Sequence, residues 1–157
     1  MANLSNENNL HVYLKEFETA INLAGTVRSP AGKILAGALE QLKNKNIAQT
    51  QNVLETLGKK FEEQAAILCF MGLLAFARNQ KTTGLRFIQN TLSAPDATYE
   101  IICLAGSLLL DKGDPTIAID AFNKAIKFAS FRAQAYLRKG KALSLLRDVS
   151  GAIDNFK

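Results

Sequence analysis

Few residues of this 157-residue sequence are of the types that perform catalysis or bind metals. His11 is the only histidine, which excludes the paired histidines of an HExxH zinc site and leaves one candidate for any Ser/His or Cys/His pair. It lies near the start of an amphipathic stretch, so we interpret it as a surface or structurally hydrogen-bonded residue. The carboxylates are scattered singly apart from Glu62 and Glu63, which are adjacent and would point to different sides of a helix.

One segment has some features of a phosphate-binding loop. It begins at Gly25 and ends at Gly32 and Lys33. Six residues separate the two glycines where the motif has four, Ile34 stands where Ser or Thr is required, and no strand precedes the segment. We therefore predict that this chain is not an enzyme and holds no cofactor and no metal, although a catalytic domain after Lys157 stays open.

The elements that must position any site are helices. Ser29-Pro30 and Asp114-Pro115 each have the form of an N-cap followed by the first helical residue, and Gly113 is placed to end a helix. No strand-like alternation and no Asn-Gly turn competes with this pattern. Further N-caps are expected at Asp96, Ser130 and Asp148.

Two stretches, Tyr99 to Asn123 and Ala133 to Lys157, repeat each other at a spacing of 34 residues. Seven of the 25 aligned positions are identical, where average composition would give roughly one or two. The identical pairs are Gly106/Gly140, Leu109/Leu143, Asp114/Asp148, Ala118/Ala152, Ile119/Ile153, Asp120/Asp154 and Phe122/Phe156.

A small residue followed by Ala-x3-Phe, at this period, resembles the tetratricopeptide repeat. The same phase gives two degenerate repeats further upstream, with Gly72 and Ile88 in one and Ala38 and Leu54 in the other. The resemblance divides the chain into a polar segment with a capping helix (1–30), degenerate repeats at 31–64 and 65–98, a repeat at 99–132 and a truncated repeat at 133–157.

The resemblance implies an all-α fold, a right-handed superhelical solenoid of helix hairpins with an extra N-terminal helix. Because packed helices approach to about 8–10 Å, we expect Gly106 and Gly140 to give clearance opposite Ala118 and Ala152. Cys69 and Cys103 occupy the same position in successive repeats. At that helix separation their Cα atoms exceed the roughly 7 Å that a disulfide allows, so we predict two free thiols.

The extra helix is predicted over 9–24, capped by Asn8 or Asn9, with one apolar stripe that includes Leu14, Phe17 and Ile21. It does not follow the repeat phase. It would cover the exposed end of the first repeat, as solenoids require for solubility. The alternative is that it lies in the groove or mediates dimer formation.

In the family, the first helix of each repeat lines a concave groove. We number repeat positions from Ala31, Ala65, Tyr99 and Ala133; positions 2, 5, 9 and 12 share one helix face. The candidate partner-binding residues on this face are Leu35, Leu39, Leu42, Cys69, Leu73, Phe76, Cys103, Ser107, Leu110, Leu137 and Lys141.

This face is mostly apolar and becomes polar and basic in the last repeat. It lacks the Lys and Asn residues with which related domains clamp the acidic C-termini of chaperones. It suits an amphipathic helix or an extended apolar segment of another protein. The alternative is that the groove is filled from within, by the N-terminal helix or by a longer chain.

The net charge of +5 is unevenly placed, because residues 122–157 carry eight basic and two acidic side chains. This indicates either a patch for an acidic partner or a solvated face. No nucleic-acid-binding motif accompanies the charge, so nucleic acid is not an expected partner.

The charge-free apolar run Ala65 to Ala77 is too short to span a bilayer. Without a basic and apolar leader, we predict a cytoplasmic protein with no membrane partner.

These observations favour a protein-interaction scaffold. Two alternatives stay open. One is the N-terminal docking region of a larger enzyme such as a transferase. The other is a type III secretion translocator chaperone, a class that also has an N-terminal helix, tandem repeats and an apolar groove.

The last repeat stops within its second helix, leaving Ile153 and Phe156 uncovered. We therefore expect a fragment of a longer protein, whose open end frays or self-associates.

Overall fold

The computed structural model describes residues 2–23, 28–61 and 64–156, and these form nine helices and no strand. The helices are α1 (Ala2–Leu23), α2 (Pro30–Lys43), α3 (Ile47–Phe61), α4 (Ala65–Ala77), α5 (Lys81–Ser93), α6 (Tyr99–Lys112), α7 (Pro115–Phe128), α8 (Ala133–Leu145) and α9 (Val149–Phe156). Gly25 of the candidate phosphate loop, the Glu62–Glu63 pair and Lys157 lie outside the described residues.

Three of the predicted N-caps are confirmed. The Ser29 hydroxyl oxygen accepts a hydrogen bond from the backbone N–H of Gly32 at 2.9 Å, and Pro30 begins α2. The Asp114 carboxylate accepts from the Thr116 N–H at 2.7 Å at the start of α7. Asp148 accepts from the Gly151 N–H at 2.9 Å at the start of α9. Each side chain satisfies a backbone donor that the first helical turn leaves free.

The other two predicted N-caps, Asp96 and Ser130, are wrong. Helix α6 is capped by Thr98, and α8 begins after Arg132 without a side-chain cap. Asp96 instead accepts from the N–H of Ala65, 31 residues earlier, at 2.9 Å. It therefore caps α4 from the loop that precedes α6. Helix starts inside a stack can take their acceptors from a neighbouring repeat, which local sequence spacing does not reveal.

Tyr99 likewise caps the start of a helix in a neighbouring repeat. Its hydroxyl oxygen accepts from the N–H of Ala135 at 3.1 Å, in the first turn of α8. The guanidinium of Arg132 lies 4.8 Å from the centre of the Tyr99 ring and also pairs with Glu100. Burial raises the pKa of the Tyr99 phenol, so it stays protonated. These contacts fix the junction between α6 and α8.

The helices pair as hairpins, α2 with α3, α4 with α5, α6 with α7 and α8 with α9, and each hairpin packs on the next. Their first helices begin at Pro30, Ala65, Tyr99 and Ala133, in the phase of the sequence repeat. The turns inside three hairpins have a residue with positive φ, namely Lys45 at 62°, Asn79 at 58° and Arg147 at 62°. These residues recur at the repeat spacing, and Gly113 occupies the equivalent position with a φ of −122°.

A large side chain from the second helix of the hairpin lies closest to where a Cβ on Gly72, Gly106 or Gly140 would be. A Cβ added to Gly106 would lie 2.5 Å from the Phe122 ring, and one added to Gly140 would lie 2.5 Å from the Phe156 ring. Gly72 meets Ile88 in the same way at 2.6 Å. Our expectation that Ala118 and Ala152 face these glycines stays a prediction; in the preceding repeat the equivalent residue, Gly84, does face Gly72, with its carbonyl oxygen 3.3 Å from the added Cβ. The aromatic ring four residues after Ala118 or Ala152 fills the clearance.

Helix α4 is apolar on all sides and is the centre of the core. It contacts α1, α3, α5 and α6, and its side chains from Ala65 to Phe70 are all buried. This explains why the longest apolar run of the sequence belongs to a helix of 13 residues. Among the helices that the structure describes, none has the length and apolar character needed to cross a membrane.

Candidate functional site

Helix α1 lies along the first helices of the repeats, on the face predicted to be the groove. It contacts α2, α4 and α6. It begins at Ala2 rather than at Asn8 or Asn9, and its predicted end at Ala24 is outside the described residues. A helix that only covered the end of the first repeat would not reach α6. Helix α1 therefore lies across the first helices of three repeats and is not confined to the end of the first repeat.

The apolar stripe of α1 explains this position. Leu14, Phe17 and Ile21 are all buried, and the Phe17 ring packs on that of Phe70 in α4 with 5.4 Å between ring centres. Burying side chains of this size contributes about 1.5–3 kcal/mol each. The stripe and the apolar floor of the groove are therefore complementary surfaces, and α1 is the occupant of that floor.

Two ion pairs hold α1 from opposite sides. The Glu16 carboxylate lies 2.6 Å from the guanidinium of Arg138 in α8, and the Glu18 carboxylate lies 2.6 Å from the Lys43 ammonium in α2. Phe17 stands between the two glutamates. The groove thus presents one cation toward each end of an apolar floor, and α1 offers a carboxylate to each.

Arg138 is the most connected side chain of the site. Besides Glu16, its guanidinium donates to the hydroxyl oxygen of Ser107 at 2.7 Å and to the backbone carbonyl of Cys103 at 3.1 Å. It therefore joins α8, α6 and α1. Neither Arg138 nor Phe70 was among the predicted binding residues, because both stand at repeat position 6, one residue beyond position 5. The sequence did contain one indication of Arg138, namely that it is a basic residue next to the predicted groove face of the last repeat.

Tyr13 makes the third polar contact of α1. Its hydroxyl donates to the carboxylate of Asp111 in α6 at 3.0 Å. Burial, and next the negative charge of Asp111, raise the pKa of the Tyr13 phenol. The proton is thereby kept on the oxygen, so the hydrogen bond persists across the physiological pH range.

The predicted binding residues divide into covered and open ones. Helix α1 lies on the face whose buried members, each at most 3% exposed, are Leu35, Leu39, Leu42, Cys69, Leu73 and Cys103. Phe76, Ser107 and Leu110 are half-buried. Leu137 and Lys141, in the last repeat, are exposed. While α1 is in place, Leu137 and Lys141 are therefore the most accessible of the predicted groove residues, and Phe76, Ser107 and Leu110 are partly accessible.

A cavity of about 500 Å³ stays open beside α1. It lies between the side chains of α1 and the C-terminal ends of α4 and α6, and so continues the groove. Its walls are apolar at Leu73 and Phe76 and charged at the rim. The residues that line it are Leu10, Tyr13, Leu73, Phe76, Ala77, Asn79, Lys81, Leu108, Asp111 and Lys112.

The two cysteines, Cys69 and Cys103, are packed in the interior of this site. Both are free thiols, as predicted, and both are buried. Burial raises the pKa of the Cys69 thiol and of the Cys103 thiol, which disfavours the nucleophilic thiolate. Over the part of the chain that the structure describes, no three His, Cys, Asp or Glu side chains gather as metal ligands.

Solved structures with this arrangement of helices are TPR proteins. YrrB, described as a TPR protein with an unusual peptide-binding site, matches 97% of this chain and 77% of its own, with a TM-score of 0.62 and 16% identity. MamA matches 96% of this chain and 86% of its own, with a TM-score of 0.66 and 13% identity. PilF of Pseudomonas aeruginosa matches 97% and 77%, with a TM-score of 0.64 and 12% identity.

No protein-family model and no curated protein sequence matches the chain. At these low identities the structural likeness concerns the fold. The fold is that of tetratricopeptide-repeat proteins, and the predicted all-α class, a right-handed superhelical solenoid of helix hairpins with an extra N-terminal helix, is confirmed.

Proposed function

We propose that this protein is an interaction scaffold that binds an apolar or amphipathic segment of another protein in its concave groove. The observation that carries the proposal is that the groove already holds an amphipathic helix, α1, through an apolar stripe and two ion pairs. A surface that accepts one such helix has the shape and chemistry to accept another. YrrB, with the same fold, is described as having a peptide-binding site.

The proposed binding surface has an open and a covered part. The open part consists of Leu137 and Lys141 in the last repeat, together with the cavity bounded by Phe76. A partner would contact this part first. The covered floor, from Leu35 to Cys103, becomes part of the binding surface only when α1 moves. A protein or peptide partner, rather than nucleic acid or a membrane, and a cytoplasmic location belong to the same proposal.

Two exposed apolar residues allow a matched test. Leu137 is 48% exposed in the open groove, and Ile34 is 47% exposed in α2. Ile34 precedes Leu35, so it lies about 100° around the helix from the groove face. A display library of 16-residue helical peptides would be selected against the unmodified chain. The selected peptides would then be titrated against Leu137→Glu and Ile34→Glu.

We expect Leu137→Glu to weaken binding at least tenfold, which corresponds to about 1.4 kcal/mol, and Ile34→Glu to leave it unchanged. Peptides that respond equally to both substitutions, or to neither, would place the binding surface outside the groove.

Self-association through the last hairpin is a separate part of the proposal. Val149, Ile153 and Phe156 of α9 are exposed, whereas Phe122, equivalent to Phe156, is fully buried. Light scattering over a concentration series should show association that Ile153→Glu removes. A monomer at every concentration would contradict this part alone.

A further inference from the structure

We propose that α1 is a displaceable internal occupant of the groove, and that the external partner is an amphipathic helix with the same acidic–aromatic–acidic pattern. This inference rests on the proposed function and specifies the chemistry of its partner. In α1 the pattern is Glu16, Phe17 and Glu18, three consecutive residues that each meet a different wall of the groove.

The groove recognises this pattern by charge and shape together. Arg138 receives the first carboxylate, Phe70 receives the ring, and Lys43 receives the second carboxylate. Adjacent residues of a helix diverge by about 100°, so the two glutamates point to opposite sides while the ring points into the floor. A helix with Lys or Arg at either glutamate position would face a like charge. The cations therefore select acidic helices from among amphipathic ones.

The contacts of α1 differ in how easily a competing ligand can replace them. The Phe17 ring is fully buried, but Glu16, Glu18, Arg138 and Lys43 each keep 19–42% of their side-chain surface exposed. Water and a competing carboxylate can therefore reach both ion pairs. The cavity beside Tyr13 has room for a few side chains of an incoming helix before α1 leaves. Occupancy by α1 would then lower the apparent affinity for the partner, because the competent state is only a fraction of the population.

Charge reversal in the full chain tests the inference. The probe is a fluorescein-labelled peptide with the natural sequence of residues 10–23. In the variant Glu16→Arg/Glu18→Arg, α1 carries cations that face Arg138 and Lys43. We expect hydrogen exchange to show α1 deprotected while α6 and α7 stay protected, and the peptide to bind this variant at least tenfold more tightly than the unmodified chain.

Two controls make the result specific. Adding Lys43→Glu and Arg138→Glu to the variant restores opposite charges, so α1 should regain protection and peptide binding should disappear. A peptide with both glutamates replaced by lysine should not bind the first variant. If the reversal unfolds α6 and α7, the milder pair Glu16→Gln/Glu18→Gln serves with the same expected order of affinities.

The inference is overturned if α1 stays protected after charge reversal, if the natural peptide fails to bind once α1 is free, or if the lysine peptide binds equally well. The charge-reversal test can fail while the proposed function is retained. In that case the selected peptides still lose affinity with Leu137→Glu, but they do not compete with the natural peptide. Failure of both tests would remove the groove as a binding surface.

Discussion

The glycines of the first helices allow a prediction in which the same substitution stabilises the protein at one position and does not at another. Gly37 in α2 and Gly106 in α6 both lie inside the first helix of a repeat. Replacing either glycine by alanine gives the same gain in helix propensity, about 0.8–1 kcal/mol. Gly37 is exposed and Gly106 is buried, so the two positions differ in what an added Cβ meets.

At Gly37 nothing lies within 4 Å of an added Cβ. The full propensity gain should therefore appear, and Gly37→Ala should stabilise the protein by about 0.8–1 kcal/mol. At Gly106 the added Cβ would lie 2.5 Å from the ring of Phe122, which is fully buried and has no open space to enter. Overpacking of this kind costs about 1–3 kcal/mol, so Gly106→Ala should range from neutral to about 2 kcal/mol destabilising.

Gly140 supplies an intermediate case. Its added Cβ would meet the Phe156 ring at the same 2.5 Å, but Phe156 is 47% exposed. The ring can rotate toward solvent, which removes part of the overpacking cost. We therefore expect the free energies of unfolding to rank Gly37→Ala first, Gly140→Ala second and Gly106→Ala last.

Thermal unfolding followed by far-ultraviolet circular dichroism measures this order. For a chain of this size about 1 kcal/mol shifts Tm by roughly 2–4 °C. Urea titration provides an independent ranking. An equal increase in Tm for Gly37→Ala and Gly106→Ala would refute the packing of α6 on α7 described above, because overpacking against the buried Phe122 ring must offset the gain in helix propensity at Gly106.

Three further predictions concern caps, turns and thiols. Asp96→Ala should lower stability by about 1 kcal/mol in urea titration because the Ala65 N–H loses its acceptor, whereas Asp96→Asn should cost less. Arg147→Gly should raise Tm by a few degrees because glycine relieves a left-handed residue; no change would mean that the turn is unstrained. Burial raises the pKa of the Cys69 thiol, so stability should fall as pH rises above the unfolded value of about 8.5. Denaturant titrations at several pH values should show a shallower fall for Cys69→Ala.

The sequence by itself determined the repeat and most of the helices. The period of 34 residues placed the first helices, and local signals such as Ser29-Pro30 and Asp114-Pro115 placed helix starts, because capping and helix periodicity depend on residues close in the chain. The free, buried thiols followed from the same phase. These features need no knowledge of which helices become neighbours.

Only the tertiary structure decided where α1 lies and what holds it there. Its apolar stripe would suit either the end of the solenoid or the groove, and the choice depends on Phe70, Lys43 and Arg138, which are brought together from three repeats. The capping of α4 by Asp96 could not be predicted from the sequence for the same reason, because donor and acceptor lie in different repeats. Burial and charge pairing between distant segments depend on how the hairpins stack, and a one-dimensional pattern does not contain that geometry.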